Sequence, residues 1–340
     1  NGTPQEFADW VEYCNSRFDT TLTRERKRNG AAQPFKVKLW GVGNENWGCG
    51  GNFDAETYAK EYRRFATFLR HVDPGAELVL CGTGDVRPTG DVWNTTVLHT
   101  LGQHIHLVDH LSIHHYWVHG GSETNFSEAE YYTLLAEAGT TEQFVKRTAA
   151  LIAAEAGGRH IGIALDEWGV WHPEARPWGP GECDRRSPVT YEQANTMRDA
   201  LAAGIASEGF HRQCNVLSLA NLAQTVNVLQ SVVMTDGGAM WLTPTYYAFQ
   251  LHAPHIGAAA LPVELEQSQS LPDGSSAVSA TASQKDGQIA VTVINRHYSQ
   301  PARVKIAGGG HAQAAGRLLA ADSPQAGNSS DEPNRVATVE

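Results

Sequence analysis

Two rhythms alternate along the chain: short continuous apolar runs, and longer stretches with apolar residues at helical spacing. The short runs fall at 36–43, 77–82, 107–115, 161–168 and 215–220, and an unbroken apolar run bounded by turn residues predicts a strand buried on both faces. Helical spacing marks 55–71, 141–156 and 191–210, the last opened by Thr190 as a candidate N-cap. A leading helix is predicted over 4–28, with Pro4 in its first turn, Phe7, Trp10, Val11 and Cys14 at helical spacing and a basic end before Gly30. Strands alternating with helices predict an α/β fold, a parallel sheet with crossover helices. A last helical stretch follows Thr243-Pro244-Thr245-Tyr246-Tyr247 and ends near His255. Beyond it the rhythm becomes alternation at 277–283, 288–295 and 302–306, with Asp286-Gly287 as a hairpin turn. The pattern divides the chain into an α/β region, 1–255, and a small antiparallel β region, 256–340.

Five strands do not close a (β/α)8 barrel, which needs eight, and an open sheet leaves two unpaired edges. The expectation is therefore a partial (β/α)8 TIM barrel comprising strands four to eight, with the first three strands on a companion segment or lost, followed by a C-terminal antiparallel β-sandwich region.

Two of the runs end in acids beside aromatic residues, Asn44-Glu45-Asn46-Trp47 and Asp166-Glu167-Trp168. A strand that finishes in a carboxylate presents it at the rim of a barrel. Because strand side chains alternate, only one of Asp166 and Glu167 should face the mouth. With three strands missing, Glu45 would end strand four and Glu167 strand seven, on opposing walls. A retaining glycosidase needs two such carboxyl groups about 5–5.5 Å apart, one a nucleophile and the other an acid and then a base.

Composition narrows the alternatives. A formal charge of −11, with no basic run denser than residues 24–28, disfavours nucleic acid as a partner. No apolar stretch approaches the roughly 20 residues of a membrane helix, and residues 1–7 lack the pattern of a signal peptide, so no membrane partner is expected and the compartment, cytoplasmic or secreted, stays open. Cys14, Cys49, Cys81, Cys183 and Cys214 form no CxxC pair and are expected as buried free thiols. No cofactor is expected: Gly41 and Gly43 resemble a dinucleotide loop, but Asn46 stands where its third glycine belongs. His104, His106, Asp109, His110, His114 and His115 crowd one segment without the spacing of a catalytic metal site, so none is expected there.

Several ordered motifs carry a family resemblance: residues 42–51 (Val-Gly-Asn-Glu-Asn-Trp-Gly-Cys-Gly-Gly), 111–116 (Leu-Ser-Ile-His-His-Tyr), 165–168, 220–227 and 241–247, with an opening at 2–14 similar to the segment after a third barrel strand. Over residues 1–255 the chain resembles the α-L-arabinofuranosidases of glycoside hydrolase family 51. The resemblance implies Glu45 as acid/base, Glu167 as nucleophile, Asn44 as ligand of the sugar hydroxyl next to the reacting carbon, and His114, Tyr116 and Gln224 as pocket residues, with Tyr116 orienting the nucleophile. Trp47, beside Glu45, is a further candidate sugar contact, evenly balanced against rim packing. Retaining, exo-acting removal of terminal arabinofuranosyl groups is the implied activity, with arabinose-containing oligo- and polysaccharides as partners. The alternatives are an endo-acting glucanase or xylanase on the same barrel, and a catalytically silent carbohydrate-binding fragment. The family is often multimeric, so a homo-oligomer is also an expectation.

Overall fold

The computed structural model describes residues 2–178, 188, 190–308 and 313–340. They form two compact units, the first made of residues 1–115, 144–166 and 215–220, and the second of residues 116–143, 167–214 and 221–340. Cys183 lies outside the described residues.

The first unit is built on a sheet in the order β1 (Leu39–Val42), β2 (Glu77–Leu80), β3 (His110–Trp117), β4 (Gly162–Val170) and β5 (Leu217–Leu222). β1 and β2 run parallel with Leu39 opposite Glu77, and β2 pairs parallel with β3 through Val79 and His110. All five predicted strands are present, in sequential order, as in the wall of a barrel.

The predicted leading helix is instead two, α1 (Pro4–Asn15) and α2 (Thr21–Arg28), because local hydrogen bonding ends one and starts the other. Thr20 caps α2 in a reciprocal pair with Thr23. Arg26, 1% exposed, donates from Nη1 to Tyr13 O at 2.7 Å and Ser16 O at 3.1 Å, satisfying carbonyls that the end of α1 leaves unpaired.

The helix α3 (Ala55–Val72) starts at Asp54, whose carboxylate accepts from Thr57 N at 2.8 Å. Its buried stripe is Tyr58, Ala59, Tyr62, Ala66 and Leu69. Tyr58 does more than fill space: its hydroxyl donates to Val42 O and accepts from Cys81 N, both at 2.7 Å, tying together the carboxyl ends of β1 and β2. The short helix α4 (Asp91–Leu101), which the apolar rhythm does not predict, follows β2.

A long helix, α5 (Glu128–Glu155), replaces the one predicted over 141–156. Its true start is signalled by Ser127 and Glu130, which hydrogen-bond each other's backbone N–H as a capping box.

In the second unit, α6 (Met197–Arg212) begins six residues after the predicted cap, at Thr196, whose N–H donates to Asp199 Oδ2 at 2.7 Å. Arg198 and Asp199 are fully buried there, with the guanidinium donating to Gly120 O at 2.6 Å and stacking over Phe126 at 3.5 Å. A hairpin of β6 (Val233–Asp236) and β7 (Ala239–Leu242) precedes α7 (Pro244–His252).

The tail contains an antiparallel sheet, β10-β9-β8, formed by β8 (Ala259–Leu261), β9 (Val278–Lys285) and β10 (Gln288–Asn295), and a small pair of β11 (Leu318–Leu319) and β12 (Thr338–Val339). Asp286 and Gly287 take φ values of 51° and 77°, the left-handed pair that a two-residue hairpin demands. The alternating run at 302–306 is not a strand: Val304 and Ile306 are 45% and 65% exposed, and alternation without a partner strand leaves the backbone to water.

Among the described residues no helix is long and apolar enough to cross a membrane. Cys14 and Cys81 are buried as expected, whereas Cys49 and Cys214 are exposed.

Candidate active site

In the first unit, β1 runs out through Gly43 into a tight loop carrying Asn44, Glu45 and Trp47. Two glycines make the loop sterically possible. Gly43 has φ 99°, and a Cβ there would lie 2.1 Å from Asn46 Oδ1, while a Cβ on Gly50 would lie 1.8 Å from Asn44 O. Glu45 itself adopts φ 45°, a region strained for a non-glycine residue, and its carbonyl accepts from Gly48 N at 2.8 Å and Gly50 N at 3.0 Å.

The Glu45 carboxylate meets two side chains. Oε1 lies 2.9 Å from His114 Nδ1 on β3, and Oε2 accepts from the Cys49 thiol at 3.2 Å. The hydrogen bond from His114 is the main influence holding the Glu45 carboxyl below its ordinary range; burial pushes the other way, and Cys49 and the positive field of the imidazole add to the lowering. An acid that must deliver a proton would be expected to sit higher, and the imidazole beside it is why it does not.

His114 has a second carboxylate on its other nitrogen, Asp166 Oδ1 at 3.2 Å, and Ser112 donates to the same oxygen at 2.6 Å. His114 thus bridges two acids. Asn44 is exposed on the loop, and Trp47 is half-buried, its indole N–H donating to Gly82 O at 3.0 Å.

In the second unit, Tyr116, two residues further along β3, donates its phenolic O–H to Glu167 Oε2 at 2.7 Å. The Tyr116 ring packs against the buried cluster of Ala175, Ala223 and Leu229, with the Trp171 ring edge-on at 4.9 Å. Gln224 follows Ala223 as an exposed residue, its backbone N–H donating to Val228 O at 3.0 Å. The loop is held from behind by Gln230, whose amide accepts from Val170 N at 2.8 Å and donates to Asp199 O at 2.8 Å. Trp117 and Trp168, at 0% and 1% exposure, are core residues and not sugar platforms.

The expected sites therefore assemble as Glu45 with His114 in one unit and Glu167 with Tyr116 in the other. Asp166 and Glu167, although consecutive, both bond to the alternate row Ser112, His114 and Tyr116 of β3, so strand alternation does not choose between them. Sequence reasoning missed Ser112 and Cys49 as partners of these acids. Their only signal was the spacing of two within Ser112-Ile113-His114 and of four between Glu45 and Cys49.

Comparison with known proteins places the chain in a family. A family model described as the α-L-arabinofuranosidase 1 domain matches residues 1–134, and one described as the α-L-arabinofuranosidase C-terminal domain matches residues 166–340. An intracellular exo-α-L-arabinofuranosidase of Bacteroides ovatus is 36% identical over 99% of this chain and 65% of its own length. An exo-α-(1→6)-L-arabinofuranosidase of Bifidobacterium longum is 31% identical over 86% of this chain and 58% of its own length. The chain thus spans less than two thirds of these curated relatives. Among solved structures, the GH51 arabinofuranosidase of Xanthomonas axonopodis pv. citri superposes with a TM-score of 0.85 at 29% identity, over 100% of this chain and 68% of that one. The fold is that of a (β/α)8 barrel with a C-terminal β-sandwich.

Proposed function

The chain belongs to the α-L-arabinofuranosidases of glycoside hydrolase family 51, and from that premise we propose that it removes terminal α-L-arabinofuranosyl groups from plant oligo- and polysaccharides by a retaining double displacement. The observation that carries the reading is that two glutamates, Glu45 in the loop that follows β1 and Glu167 in the carboxyl half of β4, are each held by a side chain of β3, Glu45 by His114 and Glu167 by Tyr116.

In this reading a Glu167 oxygen attacks the anomeric carbon as the glycosidic C–O bond breaks, and the leaving oxygen takes a proton from Glu45. Water then attacks the glycosyl-enzyme, loses its proton to Glu45 and releases Glu167. The Tyr116 hydroxyl holds the Glu167 carboxylate in place through Oε2. The His114 imidazole, against Glu45 Oε1, holds the acid low. Sugar entering the site removes water from the Glu45 carboxylate, which favours its protonated form. Asn44 and Gln224, exposed on their loops, bind sugar hydroxyls, and Trp47 offers an apolar wall. Residues 1–255 form the catalytic part and 256–340 the accessory β region.

The test uses an aryl α-L-arabinofuranoside. Glu167→Ala should abolish turnover, and azide should restore it with the β-configured arabinosyl azide, because azide fills the space of the nucleophile. Glu45→Ala should hydrolyse the activated substrate slowly, with azide giving the retained α-azide. An inverted sugar from the unmodified protein, or full turnover by Glu167→Ala, would refute the assignment. Faster action on β-glucan or xylan than on the arabinofuranoside would favour the endo-acting alternative.

A further inference from the structure

Three histidines of the second unit converge at a place that the proposed reaction does not use. His211 lies in the last turn of α6, His252 is the last residue of α7, and His255 follows in a short 3-10 turn. One nitrogen of each ring lies within 4.8 Å of the others, and the ring centres are 4.6 to 5.9 Å apart.

Packing explains how three basic groups can crowd together: all are kept neutral. Burial holds His252 down to about 3 and His211 to about 4, with the neighbouring rings and Arg212 adding to the effect on His211, and burial lowers His255 as well. No proton therefore competes for their lone pairs at neutral pH.

Hydroxyls of the β9–β10 sheet orient two of the rings. His255 contacts Ser283 Oγ through Nδ1 at 2.7 Å and Thr292 Oγ1 through Nε2 at 2.8 Å, and His211 Nδ1 contacts Thr281 Oγ1 at 3.3 Å. His252 differs. It is 8% exposed, and its Nδ1 is a buried polar atom with no hydrogen-bond partner. A buried nitrogen left without a partner is unfavourable by roughly 1–3 kcal/mol, and it calls for a ligand. A ring such as His211, partly exposed, offers a way in from solvent.

We propose that His211, His252 and His255 form a binding site for one divalent first-row metal ion, zinc by preference, which ties the end of α6 to the end of α7 and the turn that follows it. Three imidazoles around one ion stand about 3.4 Å apart at the usual Zn–N length of about 2.0–2.1 Å, so small ring rotations from the present spacing complete the site. His255 would exchange one hydroxyl for the metal and keep the other as the partner that orients its ring. A water completes the tetrahedron. The proposal is independent of the glycosidase reading, since none of its residues belongs to that chemistry.

Cobalt(II) is the probe, because tetrahedral sites give intense visible bands that octahedral surface sites lack. One equivalent should bind with bands between about 500 and 650 nm, zinc should bleach them, and zinc should raise the melting temperature by several degrees. His211→Gln, at the least buried ligand, should lose the bands and the thermal shift, whereas His104→Gln/His106→Gln, at a histidine pair outside the site, should keep both. X-ray absorption at the cobalt edge of the unmodified protein should show three imidazoles and needs no variant to fold. Octahedral cobalt, fewer than three imidazoles, binding that survives His211→Gln, or binding that vanishes in the His104→Gln/His106→Gln protein would overturn the proposal.

Discussion

Glu45 concentrates several unfavourable features in one residue: a left-handed backbone, partial burial, and a carboxyl kept low by His114. Strain of about 1–3 kcal/mol is tolerated where the surrounding loop over-determines the conformation, and here the carbonyl of the same residue anchors the turn through Gly48 and Gly50. His114→Gln removes the largest influence lowering Glu45. The carboxyl pKa should rise, and since Glu45 must be protonated to act in the proposed reaction, the alkaline limb of kcat/KM should move to higher pH while the maximal rate falls. A profile of kcat/KM from pH 4 to 9 on an aryl arabinofuranoside checks this; an unmoved alkaline limb would separate His114 from the acid. Glu45 and Glu167 were legible in the sequence because each sits where an apolar run stops. Tyr116, the partner of Glu167, was named through the family resemblance, whereas Cys49 beside Glu45 and Ser112 beside Asp166 were not, since a serine or cysteine has no signature of its own until the strands are paired.

Among the elements, strands were read from the sequence more faithfully than helix ends. A strand buried on both faces needs apolar residues throughout, whereas a helix end is fixed by single side chains such as Thr196 with Asp199 or Ser127 with Glu130. The apolar rhythm of 4–28 carries no mark of the break at residue 16, because the group that enforces it is polar and distant: Arg26, folded back onto the end of α1. Arg26→Met should leave those carbonyls buried and unpaired and destabilise the protein by about 3 kcal/mol. Urea unfolding followed by circular dichroism would measure it. Arg26→Lys should recover only part of the loss, because an ammonium cannot reproduce the guanidinium fork. The run at 302–306 erred for the converse reason, a pattern fit for a strand with no neighbour to pair with.

For the molecule as a whole, buried ionisable groups pull stability in opposite directions over the same pH range. Burial pushes Glu208, 1% exposed, up to about 7 from 4.5. Between those values the folded state holds more protons than the unfolded chain, so stability falls as pH rises, by about 3 kcal/mol in all. On the acid side, His115 is held at about 4, against 6.5 when unfolded, by burial. The unfolded chain then takes up the proton first, and stability falls as pH drops from 6.5 towards 4. Glu208→Gln should therefore raise the denaturant midpoint at pH 8 far more than at pH 5. Equal shifts at both values would show that Glu208 is not a buried acid. Composition gave the net charge of −11 but could not reveal these opposing slopes, which depend on which few of the ionisable residues the fold encloses.

The placement of both holding groups on β3 has an evolutionary corollary. His114 and Tyr116 share a face only because one residue separates them. A single codon gained or lost between them would swing one toward the opposite side of the sheet and release its glutamate, so the three-residue interval itself should tolerate no insertion or deletion.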